Sequence, residues 1–113
     1  MRRMNPKKAK RFLIKCLGRN GLIKGYITTV DEEDACLLRA HVWTAKNSTR
    51  LFNGKQIDFK YIARNVNGVC EFLHCRVINA KEGEKVWHIN GDSLDNRKAN
   101  LMKESERVVE LDD

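Results

Sequence analysis

The sequence predicts a small α+β domain, β-rich over its amino-terminal half, and three observations carry that reading. The chain has 113 residues, one domain's worth. Its 42% hydrophobic and 33% charged residues can fill a modest core and argue against wholesale disorder. Short apolar runs separated by turn signals dominate residues 12–72, and helical spacing is confined to brief stretches.

Taken in order, residues 1–13 read as a flexible basic arm. "RFLIKCL" and "GLIKGYITTV" flank the turn-like "GRNG", the pattern of a β-hairpin. "VDEEDACLLRAHVW" changes to helical character. Asp31 is placed to cap, Glu32, Glu33 and Asp34 suit the positive end of the helix dipole, and Leu37, Leu38 and His41 or Val42 give an inner face. That helix is short and ends near Val42. "NSTRLFNGKQ" reads as loop, with Asn53-Gly54 as a turn. "DFKYIARNVNGVCEFLHCRVINA" offers two strands around Asn67-Gly68, the second running into a short helix near 73–80. "KEGEK" is a turn and "VWHI" a brief strand. "DNRKANLMKESERV" reads as a helix opening at Ser93 or Asp95. Trp43, Phe52, Phe59, Tyr61 and Phe72 have spacings that favour core over base-stacking platforms, and His41 reads as structural. The chain divides into the arm, a β-rich part over 14–72, a carboxy-terminal core over 73–105 and an acidic tail over 106–113. No repeat, low-complexity segment or linker interrupts it.

Lys and Arg total 22 against 15 Asp and Glu, a formal net charge of +7. Arg2, Arg3, Lys7, Lys8, Lys10, Arg11 and Lys15 precede the first acid, whereas Glu104, Glu106, Glu110, Asp112 and Asp113 crowd the other end. A basic excess led by a basic arm is the electrostatic footprint of a polyanion binder; a solvated basic tail is the other reading. Cys16, Cys36, Cys70 and Cys75 show no CxxC spacing, which argues against a zinc ribbon. No apolar run is long enough for a signal peptide or a membrane span. The cysteines are therefore expected free and half-buried in a reducing cytoplasm, with no membrane as partner.

"EKVWHINGDSLDNRKANL", residues 84–101, concentrates the chemistry. A histidine at a strand end, here His88, can act as general base on water. On a helix, Asn96 and Asn100 would share a face. One carboxamide can hold the imidazole and fix which nitrogen is free. The other can offer its oxygen to a hard divalent cation that completes its shell with water and phosphate. Those are the parts of a one-metal phosphodiesterase. Taken singly, His88 reads as a surface histidine and the asparagines as turn and cap residues.

Residues 73–101, "LHCRVINAKEGEKVWHINGDSLDNRKANL", resemble the HNH endonucleases, in particular the phage and intron-encoded homing type. That family carries an "lHr" element, a stretch ending in "vDHinG", and "lDNR..NL". "GYITTVDEEDACLLRAHVW" and "YIARNVNG" are similar to segments that accompany its nuclease core, so the likeness covers most of residues 25–101. The resemblance implies a ββα-metal core over 73–105. It implies a general base at His88, a loop-supporting and histidine-orienting role for Asn96, and a metal-ligand role for Asn100 with Mg²⁺ or Mn²⁺ as cofactor. His74 matches the "lHr" histidine, a position of less defined role, and Cys75 stands where the family arginine falls, with Arg76 one step on. The implied partner is double-stranded DNA in the cytoplasm of a phage-infected bacterium, contacted through Arg2, Arg3, Lys7, Lys8, Lys10, Arg11, Arg76, Arg97 and Lys98.

The family's metal-holding Asp is replaced here by Trp87. Indole has one N–H donor and no acceptor, so it cannot coordinate a cation. Asp92 and Asp95 are the nearby acids that could stand in. Trp87 itself reads either as a plug in the vacated site or as a partner-facing anchor. Two functions follow: an HNH nicking enzyme, or a degenerate HNH domain that binds DNA or a host protein as a regulator. A module that does not bind DNA is the third.

Overall fold

The structure, a computed structural model, describes residues 8–18, 20–106 and 111, the side chain of Phe52 excepted. The first sheet is the hairpin that the two apolar runs predict. β1 (Ala9–Leu17) pairs antiparallel with β2 (Ile23–Asp31), Leu13 opposite Ile27 and Ile14 opposite Tyr26. Strand alternation then decides which side chains are buried. Ile14, Thr28 and Val30 face the core, whereas Leu13, Leu17, Ile23 and Ile27 are exposed. The expected arm is corrected here. Lys10 and Arg11 lie within β1, because β2 continues to Asp31 and offers Ala9 a ladder partner. Arg2, Arg3 and Lys7 lie outside the described residues.

Glu32–Asp34 form a 3₁₀ turn that leads into α1 (Ala35–Ala40). Asp31 does not cap it; its carboxylate accepts the Lys98 backbone N–H at 3.0 Å. Because the helix stops at Ala40, Val42 is 92% exposed and the inner face is Leu37 and Leu38. Trp43 takes the buried place, and its Nε1 donates to the Leu37 carbonyl at 2.9 Å.

The stretch read as a loop is a strand. β3 (Thr44–Phe52) and β4 (Lys55–Val66) form a long hairpin around Asn53-Gly54, both at positive φ, and β5 (Val69–Phe72) adds to β4 through Asn67-Gly68. Polar "NSTR" hides this strand because its ladder to β4 holds it in place of apolar burial. β5 passes directly into α2 (Leu73–Val77), as expected.

β6 (Val86–His88) pairs with β7 (Leu101–Lys103), His88 opposite Leu101. The helix expected from Ser93 or Asp95 does not form: Lys98–Asn100 is one 3₁₀ turn, and a strand follows. Tertiary bonds take the groups a helix would use. Ser93 Oγ donates to the Lys60 carbonyl at 2.6 Å, the Asn96 N–H donates to the Thr29 carbonyl at 2.7 Å, and Leu101 is buried. One antiparallel strand pair therefore occupies this region, and among the described residues a single 3₁₀ turn, Glu104–Glu106, and no α-helix follows it.

Ile14, Val30, Trp43, Ile62, Leu73, Val77 and Leu101 make one core cluster drawn from all three sheets and α2. This is an α+β fold. All four cysteines are free; Cys16 and Cys75 are half-buried as expected, but Cys36 and Cys70 are exposed. No helix of the described residues is long and apolar enough to cross a membrane.

Candidate functional site around His88

Residues 89–100 leave β6 as a loop and return along β2. Thr29 donates its N–H to the Leu94 carbonyl at 2.9 Å, and Asp95 makes a parallel bridge with Thr29. This docking brings a buried carboxamide beside the imidazole. His88 Nε2 lies 2.9 Å from Asn96 Oδ1, and Asn96 is fully buried.

The protons in this chain can be assigned from its far end. The Leu94 carbonyl only accepts, so Thr28 Oγ1, at 2.8 Å, donates to it. Thr28 therefore accepts from Asn96 Nδ2, also at 2.8 Å. Asn96 then presents Oδ1 to the ring, and His88 Nε2 must carry hydrogen. Nδ1 is left as the basic nitrogen, with no hydrogen-bond partner among the described residues. Burial lowers the His88 pKa; the hydrogen bond to Asn96 and the charges of Asp92 and Asp95 oppose the shift, and Arg50 reinforces it. The net shift favours the neutral ring, the state a base needs.

Asn100 sits across the loop from Asn96 with its amide turned inward. Its Oδ1 accepts the Asn90 N–H at 2.9 Å, while Nδ2 donates to Asn90 Oδ1 and to the Asp95 carbonyl, each at 2.9 Å. Asp95 binds Arg97 through both oxygens at 2.7 Å and also accepts from Asn90 Nδ2 at 3.0 Å. Arg97 accordingly holds the Asp95 carboxyl below the usual range. Directly after Asn90, Gly91 turns the chain at φ 79°, its N–H on the His88 carbonyl at 3.0 Å. A Cβ there meets nothing within 4 Å, so the cost of Gly91→Ala is conformational alone. We expect about 1 kcal/mol, read as a fall of about 4 °C in melting temperature.

The structure also brings His74 to this place. Its ring centroid is 5.0 Å from that of His88, and Tyr61 lies 5.3 Å from His74 and 6.1 Å from His88. His74 is 8% exposed, and its buried Nδ1 has no hydrogen-bond partner. Burial, and then His88, lower its pKa to about 4. Trp87 is 37% exposed; its Nε1 donates to Glu104 and the Arg50 guanidinium lies 5.9 Å from its ring. It lines the wall of an open groove. Phe59, Tyr61 and Phe72, expected in the core, are half-buried residues around the same groove, with the Arg50 guanidinium 4.8 Å over Phe59.

Sequence reasoning missed Thr28, Tyr61 and Arg50. A signal for Thr28 exists: it falls between Tyr26 and Val30 on the inward side of β2, and a polar residue there needs a buried partner.

The basic residues assigned to a phosphate backbone divide. Arg76 pairs with Glu71 at 3.8 Å, Arg97 with Asp95, and Lys98 with Glu33 at 2.6 Å and Asp34 at 3.1 Å. Lys8, Lys10 and Arg11, together with Lys15, Lys24, Arg50 and Lys60, have no carboxylate within ion-pair distance among the described residues.

The donors that the resemblance names around His88 do not fit a divalent metal. Trp87 has no lone pair to give, Asn100 Oδ1 is buried against Asn90, and both Asp95 oxygens are taken; of the nearby acids, Asp92 gives one oxygen to the Leu94 N–H at 3.0 Å and keeps the other open among the described residues. Among the described residues, the one cluster of three His, Cys or acidic ligand atoms within 4.8 Å is Asp31, Glu33 and Asp34, and there the Lys98 ammonium already bonds Glu33 and Asp34. Comparison with protein-family models, curated proteins and solved structures gives no match.

Proposed function

We propose that this chain is an HNH-like protein that binds double-stranded DNA through its amino-terminal basic surface and does not cleave it by a metal-dependent route. The observation that carries the proposal is the carboxylate inventory at His88. An indole stands where the resemblance asks for an acid, Asp95 is committed to Arg97, and Asp92 spends one oxygen on the Leu94 N–H in an exposed turn. The base half of the site is retained, with His88 oriented by Asn96. Retention of that scaffold is expected in a degenerate relative, because the Thr28–Asn96–His88 chain holds the loop onto β2 whether or not a cation binds. The cations of β1, β2 and β4, which have no carboxylate within ion-pair distance among the described residues, supply the electrostatics for a polyphosphate. The exposed apolar face of Leu13, Leu17, Ile23 and Ile27 favours, as a second reading, a protein partner.

Fluorescence anisotropy with a short duplex tests the binding. With roughly four phosphate contacts, affinity should fall about 100-fold between 50 and 200 mM salt. Absence of affinity at the lower salt excludes the DNA reading in favour of a protein partner. Plasmid incubation with Mg²⁺ or Mn²⁺ tests the chemistry. The native chain should not nick, and Trp87→Asp, which restores a carboxylate beside the base, should nick above the native level. Native nicking abolished by His88→Ala restores the enzyme.

A further inference from the structure

Between the β3–β4 sheet and β6 runs a groove of about 490 Å³, lined by Arg50, Tyr61, Phe72, His74 and Trp87. Tyr61, Phe72, His74 and Trp87 supply its rings. Tyr61 meets Phe72 edge-on at 6.0 Å, Phe72 stacks on His74 at 5.2 Å, and Trp87 flanks the opening. Strand register explains the assembly: Tyr61 of β4 and Phe72 of β5 lie on the same face of the sheet as Arg50 of β3.

The groove also has a sign. Arg50 lies over Phe59 and near Trp87, donates to the Tyr61 hydroxyl at 3.3 Å, and has no carboxylate partner among the described residues. The acid in the lining, Glu84, is already engaged. It accepts the Lys81 N–H at 3.1 Å and lies 3.8 Å from the Lys103 ammonium. His74 adds a third feature, a buried ring nitrogen without a partner in the wall of the groove. A flat π-system, an uncompensated guanidinium and an unfilled hydrogen-bonding position together fit a planar heterocycle carrying an anion.

We infer that this groove takes one unpaired nucleotide of a nucleic-acid strand. Its base lies against Trp87 and Tyr61 with an edge toward His74, and its phosphate sits on Arg50. Base-on-aromatic stacking tolerates any base and does not need a metal. Such a site presupposes the DNA-binding reading above but adds something to it: preference for duplexes that hold a base out of the stack. Unpaired bases cost the least to present, which makes this a selective device.

The test uses the full chain and three duplexes of one sequence: fully paired, with a single bulged thymidine, and with an abasic residue at the bulge. Anisotropy gives affinity, and indole fluorescence reports the groove, since Trp43 is 5% exposed and Trp87 is 37% exposed. The bulged duplex should bind about ten-fold more tightly than the paired one and quench the fluorescence. That preference should vanish for the abasic duplex and in Arg50→Gln, and the quench should vanish in Trp87→Phe. Circular dichroism of both variants confirms folding. Equal affinity for the three duplexes overturns the site while leaving duplex binding intact; affinity for none of them overturns the DNA reading itself. Quenching by thymidine monophosphate with no preference for the bulge overturns the strand-borne nucleotide.

Discussion

Asn96→Ala is expected to lower the unfolding free energy by about 3 kcal/mol, because it orphans groups that have no other partner nearby. Asn96 is fully buried, accepts from His88 and donates to Thr28, so the truncation strands a hydroxyl lone pair in the interior and the N–H of a half-buried ring. Each stranded group costs roughly 1–3 kcal/mol, and a small cavity adds to that. At this chain length the loss should appear as a fall of about 12 °C in melting temperature. Thr28→Val supplies the control. It removes the hydroxyl from the same chain, so the double variant should be less destabilised than the sum of the singles by about 1 kcal/mol. Additive effects would show that Asn96 and Thr28 do not act through one another. Nitrogen NMR of the native protein should find His88 protonated at Nε2 and free at Nδ1, and Asn96→Ala should mix the two tautomers.

That network marks the border of what the residues disclosed. The β1–β2 and β4–β5 hairpins were legible because their signals are local: "GRNG" and Asn67-Gly68 are short turns between runs that pair with their neighbours, whereas around Asn53-Gly54 the turn was legible and the polar strand before it was not. The motif residues were legible as chemistry, since His88, Asn96 and Asn100 are types with few bland roles at that density. Their arrangement was not. The pattern over 95–108 suits a helix locally, yet Asn96 is held by Thr28, 68 positions away, and Asn100 by Asn90. Tertiary hydrogen bonds override local propensity wherever a loop is docked backbone-to-backbone on a strand, as residues 94–96 are on Thr29. Lys98 shows the same for charge. A cation in a basic motif reads as a phosphate contact, but the fold lays it against Glu33 and Asp34 from a distant turn. Arg50 was invisible for the converse reason. It stands in polar "NSTR", read as loop, and acquires meaning once β3 places it beside Phe59 and Trp87.

The second large effect concerns acid. His74 has a folded pKa of about 4 against an ordinary value of 6.5. Above pH 6.5 both folded and unfolded chains hold it neutral, and the native packing is undiminished. Between pH 6.5 and 4 the unfolded chain takes up a proton that the folded one refuses, so stability falls as the pH falls. The interval corresponds to roughly 3 kcal/mol at one pKa unit per 1.4 kcal/mol. His88 adds to this with the same sign, since its pKa is also lowered, and two imidazolium rings with centroids 5.0 Å apart would repel. Asp95, held below its ordinary 3.8 by Arg97, has the same sign but acts below that window. The melting temperature should therefore drop by about 10 °C between pH 7 and pH 4.5. His74→Phe, whose ring can keep its places against Tyr61 and Phe72, should flatten that slope while leaving the protein folded at pH 7. A native melting temperature constant over the interval, or a slope unchanged by His74→Phe, would show that the ring is not held neutral by the groove. An imidazole that does protonate near pH 6 would reach solvent, and the buried, unpartnered Nδ1 of His74 would no longer distinguish the wall of the groove.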